Sequence, residues 1–166
     1  ADNMTAYMIR KATEADTPAV RQLWHKAFPN ESSHWEEDYF RHIYQSDNNR
    51  LFYLDNLLAG MAQWQSNEIF CRGSRQKSAF ISSVAVQPSQ RGRGIGRHLL
   101  HYIALEAAEQ NIPLLLLIPQ DAAYYQPLGF AWCYGLHQYD MPLAALAESL
   151  ALTGPAIQWG EIQEGE

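Results

Sequence analysis

The segment covering residues 80–97 constrains the fold of this chain more than any other. Residues 80–86 are apolar and rich in β-branched side chains, which predicts a buried strand. Pro88 stops that strand, and a helical pattern begins at Arg97. Three glycines at positions 92, 94 and 96 lie between the two. The sequence therefore predicts a strand that runs through a tight glycine-rich turn into a helix.

Such a turn is suited to holding an anion. Glycine lets backbone N–H groups come close to a ligand, and the N-terminus of the following helix adds unpaired donors and the positive end of its dipole. Three arginines place positive charge around the turn: Arg91, Arg93 and Arg97. We expect a phosphate ligand there, although a plain strand-to-helix connection would need a similar turn.

Two common phosphate-binding patterns do not match. A nucleoside triphosphate loop ends in Gly-Lys-Ser/Thr, whereas Gly96 is followed by Arg97 and His98. A dinucleotide fingerprint has the spacing Gly-x-Gly-x-x-Gly near the first strand of a βαβ unit. Here the glycines occupy every second position, and they lie far from the first predicted strand of the chain.

The segment Arg91-Gly92-Arg93-Gly94-Ile95-Gly96 resembles the acetyl-CoA motif of the GNAT acetyltransferase superfamily, Arg/Gln-x-x-Gly-x-Gly/Ala. The preceding Val84-x-Val86-x-Pro88 and the following Leu99-Leu100 agree with it. The resemblance implies that amides of the turn bind the diphosphate of CoA and that the strand pairs with the pantetheine arm. The implied acetyl-CoA-binding residues are Val84, Ala85, Val86, Arg91, Gly92, Arg93, Gly94, Ile95, Gly96 and Arg97.

A second motif follows an apolar run at 112–118, which predicts a strand covered on both faces. Residues 124–130 resemble the aromatic-Tyr-x-x-x-Gly-Phe segment of the same family. The resemblance puts Tyr125 near the thioester sulfur and gives Tyr124 a packing role, either in the core or in the wall of the cofactor site. The segment lacks the common Asn-x-x-Ala start and is more like the branch that includes the enhanced-intracellular-survival aminoglycoside acetyltransferases.

Transfer of an acyl group from a thioester to an amine requires a neutral amine, a polarised carbonyl and a proton for the leaving thiolate. Tyr125 is the candidate general acid, since a phenol of pKa about 10 can protonate a thiolate. A packing role is the alternative for any one of the nine tyrosines. A backbone N–H at 84–86 would polarise the carbonyl. The general base stays unassigned among Ser82, Ser83, Glu36, Glu37, Asp38 and a carboxylate that acts through water.

Length and composition limit the classes of protein. A chain of 166 residues predicts a single domain over 1–166. A formal charge of −6 disfavours a nucleic-acid surface and favours a cationic amine substrate. Neither Cys71 and Cys133 nor the six histidines have the spacing of a metal site, so no metal is predicted. No signal peptide or membrane-spanning run is evident, and the prediction is a cytoplasmic protein.

The remaining pattern predicts the order of the other elements. Residues 7–10 read as a strand, and a helix follows with Val20, Leu23, Trp24 and Phe28 on one side. Ser33 is the predicted cap of a second helix with a stripe formed by Trp35, Tyr39 and Ile43. The predicted hairpin, at 51–54 and 58–64, turns at Asp55-Asn56, and 68–77 is a predicted polar loop. The helix 96–110 buries Leu99, Leu100, Ile103 and Ala107.

The predicted fold class is α/β, a single-domain GNAT-like fold with a mixed central β-sheet flanked by helices. Beyond Phe130 we expect a strand at 131–141, a helix at 143–152 and a last strand at 156–162. The helix separates two strands that the family joins closely. The last strand is then free to pair with a second subunit, so a homodimer stays open.

These patterns predict an acetyl-CoA-dependent N-acetyltransferase that acts by direct attack of a primary amine. An acceptor could be an antibiotic amine, a polyamine, an amino acid or a protein terminus. Two alternatives remain from the sequence: a non-catalytic module that binds or senses acyl-CoA, and an acyltransferase that uses a longer acyl-CoA.

Overall fold

A computed structural model of the chain describes residues 6–133. The residues up to Gly129 form one compact unit, and all helices and strands of the described range belong to it. The strands and the helix predicted at 131–141, 143–152 and 156–162 lie outside that range or extend beyond it. The single-domain prediction for 1–166 therefore stays a prediction. Among the described residues, no helix is long and apolar enough to cross a membrane.

The core of the fold is a mixed five-stranded sheet in the order β1-β2-β3-β4-β5. The strands are β1 (Tyr7–Lys11), β2 (Asn49–Leu54), β3 (Leu57–Cys71), β4 (Ser74–Val86) and β5 (Leu114–Leu117). The first four pair antiparallel, and β5 pairs parallel to β4. A mixed sheet with helices confirms the predicted fold class.

Helices cover both faces of the sheet. They are α1 (Thr17–Ala27), α2 (Ser33–Asp38), α3 (Ile95–Glu109) and the short α4 (Ala122–Tyr125). One core cluster lies between α1 and the sheet and consists of Ala12, Val20, Leu23, Trp24, Ala27, Tyr39, Leu51, Met61 and Ala85. On the opposite face, α3 packs closely on β3, since a Cβ at Gly60 would lie 2.6 Å from Cγ2 of Ile95. Successive residues of β3 therefore contact helices on opposite faces of the sheet.

Several predicted elements are confirmed. The buried positions of α1 include Val20, Leu23 and Trp24, and all four predicted core residues of α3 are buried. Asp55 and Asn56 join β2 to β3 with φ angles of 49° and 63°. Two positive φ values match the twist of a two-residue hairpin. The local turn chemistry therefore sets this connection.

The predicted loop at 68–77 is wrong. β3 and β4 pair continuously out to Cys71 and Ser74, and Arg72 and Gly73 form a two-residue turn with φ of 49° and 81°. This segment is mostly exposed on both faces, so its residues lack the alternation of apolar and polar side chains by which a half-buried strand is found. Hairpin pairing, rather than burial, forms the strands here.

Two further predictions need correction. Ser32, not Ser33, caps α2 by accepting a hydrogen bond from the Trp35 amide at 3.1 Å. The predicted aromatic stripe holds only at Tyr39, because α2 ends at Asp38 and a π-helical turn follows at Tyr39–Ile43. A π-helical turn has more residues per turn than an α-helix, so the side chains that follow point in different directions from those predicted. Trp35 and Ile43 are exposed.

The apolar run at 112–118 forms a shorter strand than predicted. β5 spans only Leu114–Leu117, and its four leucines are all partly exposed. They pair with β4 on one side, from Ser78 to Ile81. Within the described residues β5 pairs only with β4, and its leucines are neither fully buried nor fully exposed, so cover on both faces stays a prediction.

Candidate active site

A β-bulge shapes the C-terminal half of β4. Met61 of β3 pairs with Ala85, and Gln63 pairs with Ser82, so that Ser83 and Val84 together face one residue of β3. Ser83 adopts the left-handed conformation with φ of 51°. Such a bulge bends a strand and increases its twist. Because β5 pairs with β4 only up to Ile81, residues 82–86 extend beyond the end of β5.

The glycine turn brings the chain from β4 into α3. Gly92 and Gly94 have φ of 79° and 78°, a region that residues with a Cβ rarely adopt. Gly94 is the N-cap of α3 and offers no side chain to cap it. The first amides of a helix lack partners within it. The amides at the start of α3 are therefore available to a ligand.

One cavity of about 770 Å³ joins the turn, the bulged end of β4 and helix α4. Its volume lies in the range of small-molecule sites. Of the predicted acetyl-CoA-binding residues, all but Arg93 line it, and Tyr125 lines it as well. The other lining residues are Ala27, Phe28, Gln90, Gln120, Asp121, Tyr124 and Leu128. Residues far apart in sequence thus meet at one site.

The three arginines of the turn have different surroundings. A guanidinium N–H of Arg91 donates to the main-chain carbonyl of Ala27 at 3.0 Å, which ties the turn to the end of α1. Arg93 donates to Oε1 of Gln90 at 2.6 Å and does not line the cavity. Arg97 is exposed and lines it. Arg97 and the remaining guanidinium N–H groups of Arg91 are therefore the arginine donors that line the cavity.

Two tyrosines on α4 face this cavity. The rings of Tyr124 and Tyr125 meet at 90° with their centroids 5.0 Å apart. Burial raises the pKa of both phenols, and the neighbouring Tyr124 raises the pKa of Tyr125 further. Both hydroxyls therefore keep their protons at neutral pH and can act as hydrogen-bond or proton donors.

None of the five candidates for the general base lines the cavity. Glu36 binds Arg21 at 2.8 Å and His25 at 2.9 Å, and its pKa is lowered chiefly by the Arg21 hydrogen bond. A lowered pKa and the Arg21 guanidinium beside it make Glu36 a weak base. Ser83 lies in the bulge, close to the Tyr39 side chain. Burial raises the pKa of Tyr39 to about 12, and the nearby Ser83 hydroxyl counteracts part of that rise.

Sequence reasoning missed part of the site. The sequence predicts that Gly96 lets an anion approach, and the structure adds that a Cβ there would be in hard contact with the Tyr124 hydroxyl. Ala27 and Phe28, at the end of α1, also reach the cavity from a distant part of the chain. The position of Tyr124 next to Tyr125 in the sequence was the one signal that pointed to Tyr124 as part of the site.

Coenzyme A fits the donors of this site. Its diphosphate requires several N–H donors, which the uncapped start of α3 supplies. Its pantetheine arm carries amides that pair with strand backbone, and residues 82–86 extend past the end of β5. When the thioester of acetyl-CoA is cleaved, the leaving thiolate needs a proton donor, and Tyr125 lines the same cavity.

Comparison with known proteins agrees with this geometry. A family model described as an acetyltransferase (GNAT) domain matches residues 8–133. The chain is 27% identical to the peptidyl-lysine N-acetyltransferase YiaC of Escherichia coli over 133 residues, which cover 74% of this chain and 82% of that protein.

Solved structures share the fold. A GCN5-related N-acetyltransferase from Anabaena variabilis has a TM-score of 0.68 at 24% identity over 75% of this chain. The chain spans only 31% of the length of that protein. An acetyltransferase from Clostridium acetobutylicum, solved with acetyl-CoA, has a TM-score of 0.67 at 17% identity, over 81% of this chain and 96% of its own.

Proposed function

The chain belongs to the GNAT acetyltransferase family, and we propose that it transfers the acetyl group of acetyl-CoA to a primary amine. The single observation that carries the proposal is the shared cavity. The uncapped start of α3, the bulged end of β4 and the phenol of Tyr125 all line it. These are the three groups that a bound acyl thioester requires.

The diphosphate end is held by the turn. Backbone amides at 92–97 donate to phosphate oxygens, and Arg97 adds charge at the rim. Arg91 lines the cavity, and one of its guanidinium N–H groups holds the Ala27 carbonyl and fixes the turn to the end of α1. Arg93 donates to Gln90, which lines the cavity, but does not line it itself.

The acyl end is activated by the bulged strand. We assign the polarisation of the thioester carbonyl to a backbone N–H within Val84, Ala85 and Val86. A fixed amide that points at the developing oxyanion stabilises it without reorganisation. The bulge at Ser83 supplies the change of direction that frees such an amide from the regular ladder.

Tyr125 is assigned as the general acid. The neutral amine attacks the carbonyl carbon, the carbon–sulfur bond breaks, and the thiolate takes the phenolic proton. The new amide gives up one proton to solvent or to a base, and Tyr125 is then reprotonated. Because the pKa of Tyr125 is raised, the acid form required by this step is the dominant one at neutral pH.

For the acceptor we propose a cationic amine, with a peptidyl lysine as the first to test. Support comes from the similarity to YiaC, a peptidyl-lysine N-acetyltransferase. The formal charge of −6 also favours the approach of a cationic substrate. Polyamines, aminoglycosides, free amino acids and peptide N-termini form the rest of the panel.

The experiment measures free thiol released from acetyl-CoA with each amine, alongside calorimetric binding of CoA. Turnover that depends on one class of amine supports the proposal. Binding of CoA without turnover on any amine would favour a non-catalytic acyl-CoA module. Turnover with succinyl-CoA but not acetyl-CoA would assign a longer acyl donor. A chain that binds no CoA would contradict all three.

A further inference from the structure

Tyr124 contacts the start of α3 through its hydroxyl. An ideal Cβ built on Gly96 would be in hard contact with that hydroxyl and 3.3 Å from Cζ of the same ring. No atom of another residue is among its three nearest neighbours. Gly96 is the second residue of α3. The absence of a side chain at position 96 thus admits the Tyr124 hydroxyl to the first turn of the helix.

The hydroxyl borders the start of α3 within the same cavity, since Gly94, Gly96 and Tyr124 all line it. Among the described residues no side chain caps the first-turn amides of α3, and these amides lack partners within the helix. Of the three arginines of the turn, Arg93 does not line the cavity, and one guanidinium N–H of Arg91 is already used on the Ala27 carbonyl. The Tyr124 hydroxyl is a further side-chain donor that lines the cavity at this position.

We propose that Tyr124 is a coenzyme-binding residue whose hydroxyl donates a hydrogen bond to a diphosphate oxygen at the first turn of α3. The proposal rests on the proposed function, since it assigns a second phenol of the same cavity. It separates the two tyrosines by role: Tyr124 binds the diphosphate end and Tyr125 protonates the thiolate.

The protonation state of Tyr124 suits this role. Burial raises its pKa, so the phenol stays neutral and keeps the proton that it must donate. A neutral hydroxyl hydrogen-bonded to a charged oxygen gives a stronger bond than one between two neutral groups. The side chain is 45% exposed, so its hydroxyl can be removed with little effect on the core.

The test compares two acetyl donors in two variants. Acetyl-CoA carries the diphosphate, and acetylpantetheine lacks it. In Tyr124→Phe, the affinity for CoA and the kcat/KM for acetyl-CoA should fall about 10-fold, or about 1.4 kcal/mol, while kcat/KM for acetylpantetheine is unchanged. In Tyr125→Phe, kcat should fall for both donors. Tyr102→Phe, on α3 outside the cavity, is the matched control.

Three outcomes are distinct. Equal losses for both donors in Tyr124→Phe, or no loss for either, would overturn the assignment while leaving the acetyltransferase intact. A wild-type chain that binds no CoA by calorimetry would instead remove the proposed function. Tyr124→Leu provides a second variant if Tyr124→Phe is unstable, and the same dependence on the diphosphate is expected of it.

Discussion

Arg91 donates a hydrogen bond to the main-chain carbonyl of Ala27 across 3.0 Å, and so joins the glycine turn to the C-terminal end of α1. The arginine that begins the acetyl-CoA motif therefore holds the turn in place through its side chain. Ala27 and Phe28 line the same cavity as the turn. The contact couples the end of α1 to the geometry of the proposed diphosphate site.

Substitution of Arg91 and of Arg97 should separate these roles. Arg91→Ala loses a charged hydrogen bond worth about 1.5 kcal/mol, so we expect a melting temperature about 3–6 °C lower and weaker CoA binding. Arg97→Ala should weaken CoA binding about 10-fold with the melting temperature unchanged. Thermal unfolding and calorimetry measure both. If Arg91→Ala lost affinity at full stability, its guanidinium would contact the ligand directly.

Gly94→Asp should abolish CoA binding without unfolding the chain. A carboxylate at the N-cap would repel the negative diphosphate and compete with it for the first amides of the helix. The affinity for CoA is expected to fall about 100-fold or more, equivalent to about 2.7 kcal/mol. Gly94→Asn tolerates the same left-handed backbone without the charge and should lose far less. Equal affinities of both variants and the wild type would remove the turn from the binding site.

Gly96→Ala tests the contact between helix α3 and Tyr124. The added methyl displaces a half-exposed phenol rather than the backbone, and alanine has the higher helix propensity, so stability should be kept. Affinity for CoA should fall about 10-fold in the wild type but less than about 2-fold in a Tyr124→Phe background, as expected for coupled positions. The same loss in both backgrounds would mean that the methyl obstructs the ligand itself.

The secondary structure of the site followed from the sequence better than its contacts did. The helix at 96–110 and the turn before it were predicted because periodicity and glycine spacing are local signals. The contacts of Arg91 with Ala27 and of Gly96 with Tyr124 depend on how distant segments pack. Nothing in the local pattern distinguishes an arginine that binds phosphate from one that binds a carbonyl.

The same limit applies to the fold. The sequence predicts a hairpin turn at Asp55-Asn56 but only a polar loop at Arg72-Gly73. The two turns nevertheless have equivalent conformations, with positive φ angles at both residues. The residues that flank Arg72-Gly73 are polar on both faces, and strand formation there comes from pairing along the hairpin. The π-helical turn after Asp38 could not be predicted from the sequence either. A hydrophobic pattern analysed at 3.6 residues per turn assumes that the helix keeps the same pitch throughout.

The pH dependence of stability should show the ion pair between Arg10 and Asp16. The two groups are 2.6 Å apart, and the Arg10 hydrogen bond holds the pKa of Asp16 far below its usual value. A lowered folded-state pKa adds stability above the unfolded pKa, about 3.9, that is lost as pH falls below it.

Asp16→Asn measures that contribution. We expect it to lower the free energy of unfolding by about 1–2 kcal/mol at pH 7, since Arg10 is partly exposed and solvent screens the pair. The difference from the wild type should shrink below about pH 4. Urea unfolding between pH 3 and pH 7 gives both curves. A difference that stays constant with pH would mean that the carboxylate charge is not the cause.

Steady-state kinetics of Tyr125→Phe, paired with calorimetric titration of CoA, tests the central assignment most directly. Removal of a general acid should lower kcat by about 10²–10⁴-fold while the dissociation constant of CoA stays within about 2-fold of the wild type. Tyr102→Phe should match the wild type in both. A Tyr125→Phe variant that turns over at the wild-type rate would contradict the account.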